Sequence, residues 1–437
     1  MARNNDTIVA ISTPTGVGGI AVVRISGPQA LSIATFHLSP LTSHLSPRHA
    51  TYCRFDDLDD VIAVYLPKGY TGEPTVEISC HGSLYVQQAV LKVLVDSGAR
   101  LAEAGEFTMR AFLNGHLNLS QAEAVADLID AVTPAQHRLA ISQLRGGYAA
   151  KLKELRQQLL DLTSLLELEL DFSQEDVEFA DRTKLKELLS TFNFQLSTLI
   201  SSFSLGNAIK RGIPVAIVGA PNAGKSTLLN ALLGDDRAIV SAIPGTTRDT
   251  IEETLTLDGI TFRIIDTAGL RHTDDAVEAL GVERSRKAIA DATVVVYVHD
   301  GTQPWQGPEI DLAGKKAIMA FTKSDLPTYQ HSPFTSHLSI SAKTGNGLAS
   351  LKEALVDSVR SEMPKDDVLL SNPRHYDALL HVQQALRHVD DGFAAGIPTD
   401  LVATDLRDAL YHLGTITGEV ANDELLGNIF SRFCVGK

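Results

Sequence analysis

The sequence predicts a multidomain α/β protein: an N-terminal α+β domain, a discontinuous α-helical bundle, and a compact α/β domain inserted into that bundle. Three observations predict it. Residues 1–118 alternate short β-like apolar runs with turns. Residues 119–209 and 366–437 carry apolar residues at helical spacing. Residues 210–365 open with a strand, a glycine-rich turn and a helix start, and continue with further buried-strand runs.

With 437 residues the chain has room for roughly two to four domains. A hydrophobic fraction of 44 % and a mean hydropathy of +0.03 support sizeable cores and exclude global disorder. The net charge of −15 argues against bulk attraction to nucleic acid, so an RNA contact would need a local patch or a partner. Cys53, Cys80 and Cys434 are not spaced as a metal cage, and so sparse a set points to a reducing compartment. Met1–Asp6 lacks a basic segment followed by an apolar core, so no signal peptide is expected. Runs such as Val294–Val298 are too short to span a bilayer. A cytoplasmic protein with no membrane partner is expected.

In the first domain the β-like runs are Ile8–Ile11, Ile20–Ile25, Val61–Leu66 and Val76–Cys80. Leu84–Ser97 has helical spacing and stops at Gly98, a C-cap residue. Arg24 and Glu77 interrupt apolar strands. They either point to solvent from a half-exposed sheet or line a pocket.

From Ser120 the pattern turns helical. Ser120-x-x-Glu123 reads as a capping box, and Thr133-Pro134 as a second helix start. Leu152, Leu155, Leu159, Leu162, Leu166 and Leu170 form one stripe, read as bundle core. Further helices are expected over Lys184–Ser202 (before Gly206), Tyr376–Val389 and Leu401–Leu413, the last capped by Thr399 or Asp400.

The inserted domain carries the chemistry. Val215–Val218 leads into Gly219-Ala-Pro-Asn-Ala-Gly-Lys-Ser226, the strand–turn–helix of a phosphate loop. Asn222, Ala223, Gly224, Lys225, Ser226 and Thr227 are placed to hold a nucleotide: backbone N–H groups around the anion, Lys225 on the β- and γ-phosphates, the Ser226 hydroxyl on Mg²⁺. Ile243, Pro244, Gly245, Thr246, Thr247 and Arg248 read as a switch loop that brings a threonine to Mg²⁺ and the γ-phosphate, with Ser241 and Ala242 just before it counted among the nucleotide-binding residues. Asp258-Gly259 between two β runs reads as a tight hairpin. Asp266, Thr267, Ala268 and Gly269 follow the second run, with Asp266 on Mg²⁺ through water. In Thr322-Lys323-Ser324-Asp325 the Asp325 carboxylate can accept guanine's ring N–H and amino group, which selects GTP. Thr322 stands where the guanine pattern usually has Asn; its hydroxyl keeps one bond and loses an amide's. Ser341, Ala342 and Lys343 can close over the base. Leu270 stands where Ras-like GTPases carry a water-orienting Gln, so water must be oriented by another group among Arg271, His272, Asp274, Asp275, Glu278 and Glu283. A monovalent cation on the Asn222 carbonyl could supply the missing charge.

Together these motifs resemble the MnmE (TrmE) family. The resemblance runs end to end, through Asp6–Ala10, Arg24–Gly27, Gly105–Thr108, Arg110–Gly115, Gln121–Ala124, Pro221–Ser226, Pro244–Asp249, Asp266–Leu270 and Phe433–Lys437. It implies a tetrahydrofolate-binding and dimerising domain over 1–118, a helical domain over 119–209 and 366–437, and an inserted Ras-like P-loop G domain over 210–365. It implies folate contacts (a 5-formyl- or methylene-tetrahydrofolate) at Arg24, Glu77, His116, where a lysine is common, and Lys437. It implies Mg²⁺ ligands Ser226 and Thr247, K⁺ ligands Asn222, Ser241, Ile243 and Thr246, and Glu278 as the water-orienting catalytic residue. Cys434 could act as a nucleophile or be a frayed terminal residue; a neighbouring Lys437 would favour its thiolate. The implied activity is K⁺-dependent GTP hydrolysis in the carboxymethylaminomethyl pathway: a homodimer, working with the FAD-dependent MnmG (GidA) flavoprotein in a heterotetramer or larger complex, adds an aminomethyl-type group to carbon 5 of the tRNA wobble uridine. The alternative is an Era-like ribosome-assembly switch, which shares the central motifs and usually adds a basic RNA-binding module.

Overall fold

The computed structural model describes residues 6–40, 45–172, 182–235, 253–265, 286–305, 312, 314–328, 337–360, 368–431 and 433–436. The chain forms two compact units, one of residues 1–126, 143–185 and 384–437, the other of residues 127–142 and 186–383. Each carries a mixed sheet with helices, a multidomain α/β architecture.

The first unit contains strands β1 (Ile8–Ile11), β2 (Ile20–Ser26), β3 (Leu38–Ser39), β4 (Ala50–Phe55), β5 (Asp59–Leu66), β6 (Thr75–His81) and β7 (Arg100–Leu101). Their order is β3-β4-β5-β6-β2-β1-β7, antiparallel except for β1 with β7. Helices α1 (Ala30–Phe36) and α2 (Leu84–Asp96) cover one face, where Val23, Ile25, Ile78, Val90 and Leu94 share a core. Period-two alternation then turns Arg24 and Glu77 to the opposite face, toward α3 (Glu106–Leu113). Ser97 caps α2 and Gly98 follows with φ +106°, as its glycine predicts.

Next come α4 (Leu119–Asp130), α5 (Pro134–Leu144), α6 (Gly147–Phe172), α7 (Arg182–Ser201) and α8 (Phe203–Arg211). The capping box lies two residues earlier than the sequence suggests. Asn118 Oδ1 accepts from the Gln121 N–H at 2.9 Å, and Gln121 Oε1 accepts from the Asn118 N–H at 3.1 Å. Ser120 is already inside α4, its hydroxyl donated to Asn118. Thr133 and Gln136 make the same reciprocal pair before α5, with Pro134 its first residue. Leu152, Leu155, Leu159, Leu162 and Leu166 are all buried along α6, a bundle core as expected; the Leu170 side chain lies outside the description. Gly206, just beyond the expected Lys184–Ser202 helix, sits within α8, where a Cβ would lie 2.2 Å from the Leu370 carbonyl, so glycine serves close packing.

The second unit carries β8 (Ile213–Val218), α9 (Lys225–Asp235), β9 (Glu253–Leu257), β10 (Ile260–Ile265), β11 (Val294–Asp300), β12 (Lys316–Thr322), β13 (Leu338–Ser339) and α10 (Leu348–Arg360). The sheet order is β13-β12-β11-β8-β10-β9, parallel but for β9. Val215, Ile217, Val294 and Val296 enter one core, Ala216, Val218, Val295 and Tyr297 the other. Burial on both faces explains the unbroken apolar runs. Asp258 (φ +48°) and Gly259 (φ +76°) make the tight hairpin that their sequence predicts.

The remaining helices are α11 (Pro373–Ala395), α12 (Thr399–Thr417) and α13 (Asp423–Phe430). The first two run longer at both ends than apolar spacing indicated. The N-cap of α12 is Pro398, without a side-chain hydrogen bond, rather than Thr399 or Asp400. Pro398 cannot donate and its φ of −53° suits entry to a helix, so the helix starts one residue earlier. Val402, Leu406, Leu413 and Ile416 of α12 are buried, and this helix packs along α6.

Candidate functional site

The phosphate loop sits at the C-terminal end of β8, between that strand and α9. Gly219 (φ +151°) has no room for a side chain: a Cβ would lie 2.0 Å from the Val298 carbonyl of β11. Asn222 (φ +62°) and Gly224 (φ +94°) then turn the loop in left-handed conformations. Lys225 Nζ donates to the carbonyls of Gly219 (2.8 Å) and Ala220 (2.7 Å), so its ammonium lies over the loop. The N-terminus of α9 adds its dipole beneath the same concavity. Ser226 is half-buried and Thr227 exposed on the first turn of α9.

The guanine strap follows β12 and is tied to this loop. Thr322 is buried, and its hydroxyl donates to the Ala223 carbonyl at 2.6 Å, with the His299 carbonyl at 3.0 Å. Lys323 (φ +60°) places Nζ 2.6 Å from Asp300 Oδ2. Burial alone would raise the Asp300 carboxyl pKa, but bonds from Lys323 and Thr302 outweigh it and lower it. Asp325 is exposed. A hydrogen bond from Ser341, then its own backbone N–H and the charge of Lys343, hold its carboxyl below the usual range. Thr322, Asp325, Ser341 and the phosphate loop are therefore linked, with an ionised carboxylate among them that can accept a base's donors.

In the first unit, Arg24 and Glu77 face each other rather than extending separately into solvent. They are register partners on β2 and β6, joined by Arg24 Nε–Oε1 at 2.9 Å and Nη2–Oε1 at 2.8 Å. The guanidinium lies 5.5 Å from the Tyr70 ring centre and 5.7 Å from that of Phe107. Tyr70 shares a hydrogen bond with Thr108 at 3.0 Å, and burial pushes its phenol pKa up. His116 is exposed, Nδ1 3.0 Å from the Tyr70 carbonyl. Behind this face lies an ionic network. Arg110, almost fully buried, bonds Glu106 (3.0 Å), the Asp6 carbonyl (2.9 Å) and Asp6 Oδ1. Arg100 bonds Asp6 (2.7 Å) and Glu106. Burial would raise the Glu106 and Asp6 carboxyls, but these bonds hold both below their ordinary values.

The C-terminal tail reaches the same end of this sheet. The Cys434 carbonyl accepts from the Gly105 N–H at 3.4 Å, Val435 bridges Ala104, and the Gly436 carbonyl accepts from Ser12 Oγ at 3.3 Å. A Cβ on Gly436 (φ +94°) would lie 2.3 Å from the Ile11 carbonyl, one residue past Ala10, the register partner of Arg24. Cys434 is exposed on this docked tail, whereas Cys53 and Cys80 are buried.

A serine–histidine–aspartate contact elsewhere in the unit is structural. His37 joins Asp56 (2.8 Å) and Ser97 Oγ (2.7 Å), but Ser97 Oγ donates to the Val93 carbonyl. The N–H groups of Ser97, Gly98 and Ala99 are already donated to Val93, Val95 and Leu94, leaving none of them for an oxyanion.

Comparison with known proteins accounts for both ends of the chain. Residues 7–116 match the family described as GTP-binding protein TrmE N-terminus, and residues 119–434 the MnmE helical domain. The chain belongs to the MnmE (TrmE) family. The "tRNA modification GTPase MnmE" of Parabacteroides distasonis is 48 % identical, covering 99 % of this chain and 100 % of that protein. The Flavobacterium johnsoniae protein of the same name is 46 % identical over 99 % and 100 %. Among solved structures, the G domain of the T. maritima FeoB iron transporter is 27 % identical over 33 % of this chain and 98 % of its own, with a TM-score of 0.26. For this family member, the sequence-predicted residues at the phosphate loop and guanine strap fall together, as do Arg24 and Glu77. Ser241–Thr247, Asp266–Gly269, the 270–283 candidates with Glu278, and Lys437 lie outside the described residues. Sequence reasoning gave Tyr70 no role; it carried Phe107, Thr108, Glu106 and Arg110 only within family motifs, and the i,i+4 spacing of Glu106 and Arg110 on α3 could have revealed their pairing.

Proposed function

We propose that this chain is a K⁺-dependent GTP hydrolase of tRNA modification. With the FAD-dependent MnmG (GidA) flavoprotein, it installs an aminomethyl-type group on carbon 5 of the wobble uridine by the carboxymethylaminomethyl route, using a tetrahydrofolate one-carbon unit. The observation that carries the GTPase reading is the fastening of the guanine strap to the phosphate loop beside an ionised Asp325. Membership of the family carries the tRNA reading.

The roles divide among residues 1–118 (folate binding and dimerisation), 119–209 with 366–437 (helical domain) and 210–365 (G domain). Lys225 exchanges its loop carbonyls for the β- and γ-phosphates, and Asn222 to Thr227 wrap the anion. Mg²⁺, held by Ser226 and Thr247, supplies charge at those phosphates when bound. K⁺, on Asn222, Ser241, Ile243 and Thr246, supplies the fixed charge that an arginine finger supplies elsewhere; the left-handed turn at Asn222 fits a carbonyl presented at the loop rim. Glu278 orients water where Leu270 cannot. Asp325, Ser341, Ala342 and Lys343 enclose the base. In the first unit a folate's carboxylate and pterin find a guanidinium, a carboxylate and two aromatic rings at Arg24, Glu77, Tyr70 and Phe107. Cys434 reaches this end of the sheet on the docked tail, His116 borders the site, and Lys437, outside the described residues, is the further folate contact of this proposal. The homodimer and the flavoprotein partner give this acidic chain its access to tRNA in the cytoplasm.

Nucleoside mass spectrometry of tRNA from cells lacking the chain tests this directly. Wobble uridines should lose the modification and regain it on complementation; full modification without the chain would reject the reading. GTP turnover should rise in KCl and not in NaCl, and equal rates would reject the cation site.

A further inference from the structure

The strap departs from the usual guanine pattern at Thr322, and the surroundings of that residue limit what it can do. A threonine hydroxyl has one proton to donate. Here that proton faces two carbonyl oxygens, Ala223 at 2.6 Å in the phosphate loop and His299 at 3.0 Å near the end of β11. The side chain is 3 % exposed and packs directly beneath the loop: a Cβ on Gly224 would lie 3.5 Å from its hydroxyl. A primary amide at this position would have two N–H groups, one for the loop carbonyl and one for a base. Guanine's N7 lies on the ring edge away from the N1–H and amino group that the Asp325 carboxylate takes. Its acceptor would need a proton that Thr322 has already committed.

We propose that Thr322 is a positioning residue that fastens the phosphate loop to the β11–β12 edge and donates nothing to the base, so that position 322 leaves guanine N7 unread. The proposal rests on the guanine-nucleotide reading, which a separate competition of GDP against ADP tests on the same protein. Failure of GDP to win there would sink that reading. The ratio below bears only on Thr322.

The test is calorimetric titration of the full chain with GDP and with 7-deaza-GDP, which lacks the N7 acceptor, in wild type, Thr322→Val, Thr322→Ser and Thr322→Asn. The ratio of the 7-deaza-GDP Kd to the GDP Kd should be the same in wild type and Thr322→Val. Thr322→Val should weaken both ligands by one common factor, roughly 2- to 10-fold, because two buried carbonyls lose their donor. Thr322→Ser should restore both affinities. Thr322→Asn should raise the ratio roughly 2- to 10-fold, as the second amide proton reaches N7. A ratio that falls in Thr322→Val means that the hydroxyl reads N7 and overturns the proposal. Unchanged affinities in Thr322→Val overturn the fastening role, and an unchanged ratio in Thr322→Asn overturns the link between this position and N7. Should Thr322→Val not fold, Thr322→Ser and Thr322→Asn against wild type still decide the base contact.

Discussion

Removing the charge of Arg110 tests whether the buried ionic network holds the first unit together. Its guanidinium, 2 % exposed, contacts Glu106, also 2 % exposed, together with Asp6 and Glu73. Arg110→Met keeps most of the volume and removes the donor. Breaking a buried pair by deleting one partner costs about 3–5 kcal/mol, because the other charge stays buried. Glu106 retains Arg100 and the Glu103 N–H at 2.8 Å, so the loss belongs at the lower end, about 3 kcal/mol. That is roughly a hundredfold in the unfolding constant. For a unit of this size it lowers Tm by about 6–12 °C. Far-ultraviolet circular dichroism during thermal unfolding measures the shift. Fluorescence of Trp305, the chain's single tryptophan, reports the second unit separately. A loss below about 1 kcal/mol would refute the argument, since it would mean that Glu106 is solvated or reprotonated at little cost. The pH dependence has a definite sign. Glu106 and Asp6 have folded-state pKa values below their ordinary ones, so their stabilisation is complete above those ordinary values, 4.5 and 3.8, and is lost as pH falls through the folded values. The first unit should hold its stability from pH 7 down to about 5 and lose it steeply below 4.

Three further outcomes follow from the same geometry. Gly219→Ala drives a Cβ into the Val298 carbonyl and strains a left-handed φ, so it should cost roughly 2–5 kcal/mol and abolish GDP binding; binding within twofold of wild type, by calorimetry, would contradict the steric argument. Arg24→Gln should weaken tetrahydrofolate binding at least tenfold while lowering stability by about 1 kcal/mol or less, because the pair with Glu77 is partly exposed; loss of fold with unchanged folate affinity would show a purely structural role. Glu278→Ala should slow single-turnover GTP hydrolysis roughly 10²- to 10⁴-fold with GTP affinity intact, and an equal fall in affinity would remove Glu278 from the water-orienting role.

What the sequence determined by itself was local. Hydrophobic period separated the α+β part from the helices, and turn chemistry placed Asp258-Gly259 and the Gly219–Ser226 loop, because these signals act within a few residues. The nucleotide motifs were legible for the same reason: each needs adjacent backbone N–H groups or a carboxylate at a strand end. Local reading also misled where two local solutions competed. Asn118-x-x-Gln121 won over Ser120-x-x-Glu123 as the capping box of α4. Only the tertiary structure decided which distant residues meet. It joined Arg24 to Glu77 across neighbouring strands, Arg110 to Asp6 across the whole N-terminal domain, and the Gly436 carbonyl to Ser12 from the opposite end of the chain. It also gave Thr322 its partner in the phosphate loop. The physical reason is that burial leaves a polar group no water, so its partner is whichever group the topology brings within hydrogen-bond reach, at any sequence separation.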